Sequence, residues 1–184
     1  KGYEYALTAV RRLVDRGVPV QFDIIGSGRE NQRLLYSIQD LQLDEHVTWH
    51  GRLAPDEVVK RLQTSDVCLL SSLSEGLSNA VLEGMACGLP AVTTDVGGMR
   101  EAVSDGVEGF LVPSRDPAAI ADALAELWRR PDLRATMGAA GRARVLADFR
   151  LENQVDAFVP LFGRVACAMR VALIVSPFPR VSET

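Results

Sequence analysis

Apolar positions along the chain keep two alternating rhythms. Tyr3 to Arg16, Asn31 to Leu41 and Pro55 to Thr64 carry them at helical spacing, whereas Val18 to Ile25, His46 to His50 and Val67 to Leu70 are short runs of strand length. The alternation continues with a helix over Leu77 to Cys87, a strand over Ala91 to Thr94, a short helix over Gly98 to Val103 and a strand over Phe110 to Val112. Helical patterns then cover Pro117 to Arg129, Pro131 to Phe149 and Leu151 to Arg164. Strands that alternate with helices predict the α/β class: a doubly wound, mostly parallel sheet flanked by helices. Ligands of such sheets bind at the carboxyl ends of the strands. The loops Gly26-Ser27-Gly28, Gly51-Arg52, Ser71 to Gly76 and Asp95 to Gly98 all fall there.

One of these loops carries more chemistry than the others. Val67-Cys68-Leu69-Leu70 reads as a strand buried on both faces, and the polar run that follows leads into a helix opening near Leu77 or Ser78. A helix start offers unpaired N–H groups and the positive end of its dipole, a seat for phosphate at Gly76, Leu77, Ser78 and Asn79. Gly76 lets the ligand approach the backbone. Glu75 lies on the loop side of that seat, and Glu83, eight residues on, lies just over one turn up the helix. Each carboxylate can accept hydroxyl protons from a vicinal diol, and neither suits direct contact with phosphate. The order sugar, diphosphate, ribose therefore fits the order Glu75, amides, Glu83. Taken alone, the same spacing also fits a helix-entry charge and a solvated helix residue.

Composition narrows the class without naming a function. The 184 residues, 47% hydrophobic and 24% charged, suit a single sizeable core. A net charge of -4 speaks against a nucleic-acid binder. The most apolar late run, Val165 to Val175, is interrupted by Arg170 and too short to span a membrane. Cys68, Cys87 and Cys167 have no metal-ligand spacing, and as core residues they fit a reducing, cytoplasmic setting. No Asp-x-Asp occurs, so no metal clamp on a diphosphate and no cofactor are expected. Gly26-Ser27-Gly28 has Asn31 where a dinucleotide fingerprint needs its third glycine, and reads as a turn. Gly97-Gly98 fits either a turn or a phosphate or sugar contact, and Glu101 either a cap or a salt bridge. Arg129, Arg130, Arg134, Arg142 and Arg144 read as a solvated helical face, with anionic lipid at the inner membrane surface as the alternative.

The run from Glu75 through Glu83-Gly84-Met85-Ala86-Cys87-Gly88-Leu89-Pro90, on through Asp95-Val96-Gly97-Gly98 to Asp105-Gly106-Val107-Glu108-Gly109-Phe110, resembles a known family. It is similar to the C-terminal, donor-binding domain of glycosyltransferase family four, the group 1 retaining enzymes with the two-domain GT-B fold. The resemblance covers most of the chain, from Lys1 to about Phe162. It implies a Rossmann-like domain over residues 1–165, one half of a GT-B fold lacking its first strand. It assigns donor-sugar hydroxyls to Glu75, Gly76, Leu77 and Ser78, and the ribose to Glu83. The diphosphate falls to Lys1 together with Gly76, Leu77, Ser78 and Asn79. The family's usual Arg partner to that Lys has no match. The strand and loop that meet the base fall on His50, Gly51 and Arg52. Gly84 and Ser71 stand where the family more often has Ala and Pro.

The implied activity is retaining transfer of a hexose from a nucleoside diphosphate sugar, a UDP- or GDP-sugar, to a glycan or lipid-linked acceptor, as in polysaccharide biosynthesis. The acceptor-binding N-terminal domain is missing, so no catalytic residue is assigned and the chain alone is expected to be inactive. A nucleotide-sugar epimerase on the same two-domain plan, or a non-catalytic nucleotide-sugar binding fragment, are the alternatives. The tail, residues 166–184 with Met169 and Ser176-Pro177-Phe178-Pro179, resembles the first strand and loop of a GT-B N-terminal domain. It reads as a permutation, a tandem junction or a fragment, and otherwise as a final edge strand.

Overall fold

A computed structural model describes residues 2–166. The expectations for Lys1 and for the tail beyond Ala166 lie outside the described residues. The chain divides into two compact units, Lys1–Ala147 and Asp148–Thr184.

The first unit follows the expected alternation. Helix α1 (Tyr3–Asp15) leads to strand β1 (Phe22–Ile25), α2 (Asn31–Asp40), β2 (Val47–Gly51) and α3 (Pro55–Gln63). Then come β3 (Cys68–Leu70), α4 (Asn79–Ala86), β4 (Ala91–Thr94), α5 (Met99–Ala102), β5 (Gly109–Val112), α6 (Pro117–Arg129) and α7 (Pro131–Asp148). The helix starts follow local chemistry. Asp116 accepts from the Ala118 and Ala119 amides at 3.0 Å each, with Pro117 behind it at the first helical position. In α3 the Glu57 carboxylate reaches back to the Ala54 N–H at 3.0 Å. In the second unit, α8 (Leu151–Ala166) stacks Phe158 on Phe162, with ring centres 5.9 Å apart.

Every strand pairing is parallel, as the alternation predicts, but the described strands form two sheets. β1 pairs with β2, and β3, β4 and β5 make a three-stranded sheet in that order. β4 is buried along its whole length and forms the centre of the larger sheet.

Helix α1 joins the two sheets. Its Ala9 and Leu13 belong to a core with Val92, Val112, Ile120, Leu127 and Met137, whereas its Leu7 and Val10 pack with Leu34, Ile38, Leu43 and Val47 over β1 and β2. Leu7 and Leu13 are fully buried, each contributing about 1.5–3 kcal/mol of apolar transfer. A polar residue at either position would separate one sheet from the helix that carries it.

Candidate functional site

The site is built on the turn between β3 and α4. Ser78 is extended, at φ -87° and ψ 115°, so the helix opens at Asn79 rather than at Leu77. Gly76, Leu77 and Ser78 thus contribute loop amides, and Asn79 and Ala80 supply the first helical ones. Ser78 is buried, whereas Gly76, Leu77 and Asn79 are exposed.

Three contacts hold the loop in shape. The buried Thr94 hydroxyl donates to the Ser72 carbonyl at 2.6 Å, and the fully buried Ser72 hydroxyl donates to Glu75 Oε1 at 3.0 Å. The Gly98 N–H donates to the Gly76 carbonyl at 3.1 Å. Gly97 has φ +56°, and a Cβ there would stand 1.6 Å from the Glu75 carbonyl oxygen. Only glycine fits both the dihedral and the space. The pair Gly97-Gly98 therefore clamps the acidic loop from the neighbouring strand, a packing role that its sequence left open between turn and ligand contact.

Glu83 is exposed on α4 and borders a cleft that Asp23 and Ile25 of β1 also line. Beneath it, Cys68 and Gly84 interlock. A Cβ on Gly84 would stand 2.7 Å from both Cβ and Sγ of Cys68, which accounts for glycine where the resemblance favours Ala. Burial, with Glu83 and Cys87 close by, pushes the Cys68 thiol up to about 12. It stays protonated and offers no nucleophile.

The base-proximal candidates sit at the carboxyl end of the smaller sheet. His50 Nε2 meets Asp23 Oδ1 at 2.5 Å, and Gly51 turns the chain at φ +65°. The Gly51 carbonyl accepts from the Gly26 N–H at 2.7 Å, while Trp49 Nε1 donates to the Gly26 carbonyl at 2.8 Å. Arg52 is exposed. Asn31 Oδ1 accepts from the Gly28 N–H at 2.8 Å, so Gly26-Ser27-Gly28 is a side-chain-closed turn, as its incomplete fingerprint suggests.

Of the five arginines read as a solvated helical face, Arg129, Arg130 and Arg142 are exposed, whereas Arg134 and Arg144 are half-buried, and those on α7 make specific contacts. Arg144 Nη1 contacts buried Glu108 at 3.0 Å and the Ser104 hydroxyl at 2.7 Å, and its Nη2 donates to the Glu101 carbonyl at 2.8 Å. Arg142 donates to the Ala86 carbonyl at 2.6 Å, and Arg134 to the Leu127 carbonyl at 3.1 Å. These side chains tie α7 to the end of α4, to α6 and to the β4–β5 connection. Among the described residues, no helix is long and apolar enough to cross a membrane.

The parallel α/β domain flanked by helices has the fold of one half of a GT-B glycosyltransferase. Residues 1–144 match the model for glycosyl transferases group 1, and the chain belongs to that family, as its C-terminal domain. The chain is 32% identical over 139 residues to the N-acetyl-alpha-D-glucosaminyl L-malate synthase of Bacillus anthracis, covering 76% of this chain and 36% of that protein. Among solved structures, sucrose-phosphate synthase of Thermosynechococcus elongatus superposes with a TM-score of 0.84 at 28% identity, over 92% of this chain and 43% of that one. Anabaena HepE, crystallised with UDP-glucose, superposes at 0.75 and 24% identity, over 88% of this chain and 45% of its own, and shares the fold. The chain spans about a third of the length of the curated relatives it matches.

Proposed function

We propose that the chain is the donor half of a retaining glycosyltransferase and holds a nucleoside diphosphate sugar across the β3–α4 turn. Glu83 accepts the ribose hydroxyls. The amides from Gly76 to Asn79 receive the diphosphate together with Lys1, and Glu75 accepts hydroxyls of the hexose. His50, Gly51 and Arg52 line the base. The observation that carries this reading is the pinning of Glu75 and Gly76 by Ser72, Gly97 and Gly98, which fixes a carboxylate beside the opening of α4. Pre-organised acceptors and donors of this kind bind without reorganisation when the ligand arrives. The relatives and the UDP-glucose complex of HepE agree with it.

Breaking the sugar–phosphate bond develops negative charge on the diphosphate. Amides at the start of α4 and Lys1 would stabilise that charge in the transition state without a metal ion. Catalysis needs the acceptor domain, which would bring the glycan or lipid-linked hydroxyl to the sugar; the chain alone is expected to bind donor and not to transfer it.

Titration of UDP-glucose and UDP in parallel onto Glu75→Ala tests the sugar assignment. The expected result is a loss of about tenfold for the sugar nucleotide, in line with ~1–3 kcal/mol for an unpaired polar group, and little change for UDP. Equal losses for both ligands would remove Glu75 from the sugar.

A further inference from the structure

His50 stands out of step in its sheet. The register pairs Ile24 with Trp49 and Ile25 with Gly51, so His50 has no partner residue on β1. An extra residue of this kind bends the strand and re-aims its side chain, a device that recurs beside binding sites. Here the imidazole is turned onto Asp23 of β1, with Nε2 2.5 Å from Oδ1. The frame around the ring is fixed. The Gly26 N–H donates to the Gly51 carbonyl at 2.7 Å, and Trp49 Nε1 donates to the Gly26 carbonyl at 2.8 Å, so the loop after β1 is tied to the end of β2 on both sides of His50.

The contact with Asp23 decides which ring nitrogen carries the proton. An ionised carboxylate only accepts, so Nε2 holds the hydrogen and Nδ1 of the neutral ring is left as an acceptor. Among the described residues Nδ1 has no hydrogen-bond partner. It is not sealed from solvent either, since no buried side-chain nitrogen or oxygen lacks a partner there. The side chain as a whole is only 13% exposed. The ring is therefore held in place with one lone pair open at the carboxyl end of β2.

We propose that His50 reads the base of the donor nucleotide by accepting a ring N–H at Nδ1, and that Asp23 is a positioning residue that keeps the imidazole in the tautomer able to do so. The class of nucleotide follows from the chemistry. Uracil and thymine carry a hydrogen on N3 and guanine carries one on N1, whereas N3 of cytosine and N1 of adenine bear lone pairs that would meet the Nδ1 lone pair head on. The site then takes a uridine, thymidine or guanosine diphosphate sugar and rejects the cytidine and adenosine counterparts. The inference rests on the donor reading, in which His50 lies at the base.

The test titrates UDP against CDP, and GDP against ADP, onto the chain and onto His50→Phe, Asp23→Ala and Glu83→Ala, with a melt recorded for each protein. In a pair that binds, the member with the ring N–H is expected to bind about tenfold or more tighter. That ratio should fall toward one in His50→Phe and Asp23→Ala, and stay unchanged in Glu83→Ala while both affinities drop. Proton–nitrogen correlation spectra of the imidazole should show a single Nε2–H tautomer in the chain and a mixture in Asp23→Ala, a change that a purely structural pair would not link to base choice. The ratio in the parent chain needs no variant, so it decides the matter even where a variant fails to fold. Equal affinities within each pair, together with weaker binding to Glu83→Ala, would overturn the inference and leave the donor reading standing. Variants of Asp23 and His50 that weaken both members of a pair alike would make the contact a prop for the turn and also overturn it. Absence of binding by all four nucleotides would overturn both readings.

Discussion

Gly97 is the residue on which the candidate site depends most, although it carries no side chain. A Cβ built on it would stand 1.6 Å from the Glu75 carbonyl oxygen, so Gly97→Ala must displace either the loop or its own strand end. The expected cost is about 2 kcal/mol of stability, from the strained dihedral and the clash, with weakened donor binding; thermal melts and titration measure both. A variant that melts and binds like the parent would mean that the loop is not clamped. Cys68 gives a second test. Its thiol is held at about 12 against an ordinary 9.0, so the unfolded chain loses this proton first. Its contribution to stability is therefore full below about pH 9 and falls as pH rises toward 12. Alkylation of Cys68 should keep accelerating past about pH 10; a plateau by pH 9 would contradict the assigned environment. The two glutamates and their loop were legible from spacing and from the strand before them. Thr94, Ser72 and Gly97 were not, because their contacts join segments that are distant along the chain and leave no periodic trace.

At the scale of elements, the hydrophobic rhythm predicted every helix and strand of the first unit, with boundaries displaced by a few residues. β1 begins at Phe22 rather than Val18, and α4 at Asn79 rather than Leu77, because turns and caps set ends that periodicity does not encode. The reading of five arginines as a solvated face held for Arg129, Arg130 and Arg142, which are exposed, but not for the half-buried Arg134 and Arg144. The guanidinium groups of Arg134 and Arg144 reach the Leu127 carbonyl and buried Glu108, partners distant enough along the chain that a charge pattern alone could not separate surface from seam. Arg144→Ala leaves the buried Glu108 carboxylate without its ion pair, and a loss of about 3 kcal/mol is expected in chemical denaturation. Glu108→Gln combined with Arg144→Met should recover part of that loss. If Arg144→Ala costs nothing, α7 is not anchored by this pair.

For the molecule as a whole, α/β class and parallel pairing were legible, and family membership followed from motifs spread over most of the chain. The division of the strands into two sheets was not, since strand alternation gives the sequence order of strands and not their neighbours. The central claim concerns ligand rather than fold: the β3–α4 turn binds a nucleoside diphosphate sugar, with Glu83 on its ribose. Calorimetric titration of a panel of UDP- and GDP-sugars onto the chain and onto Glu83→Ala tests it most directly, with a cooperative melt recorded for both samples. The account predicts saturable binding of at least one sugar nucleotide and a loss of about tenfold or more in Glu83→Ala, as expected for a charge-assisted bond to the diol. A folded chain that binds no sugar nucleotide, or a Glu83→Ala variant with unchanged affinity, would contradict it.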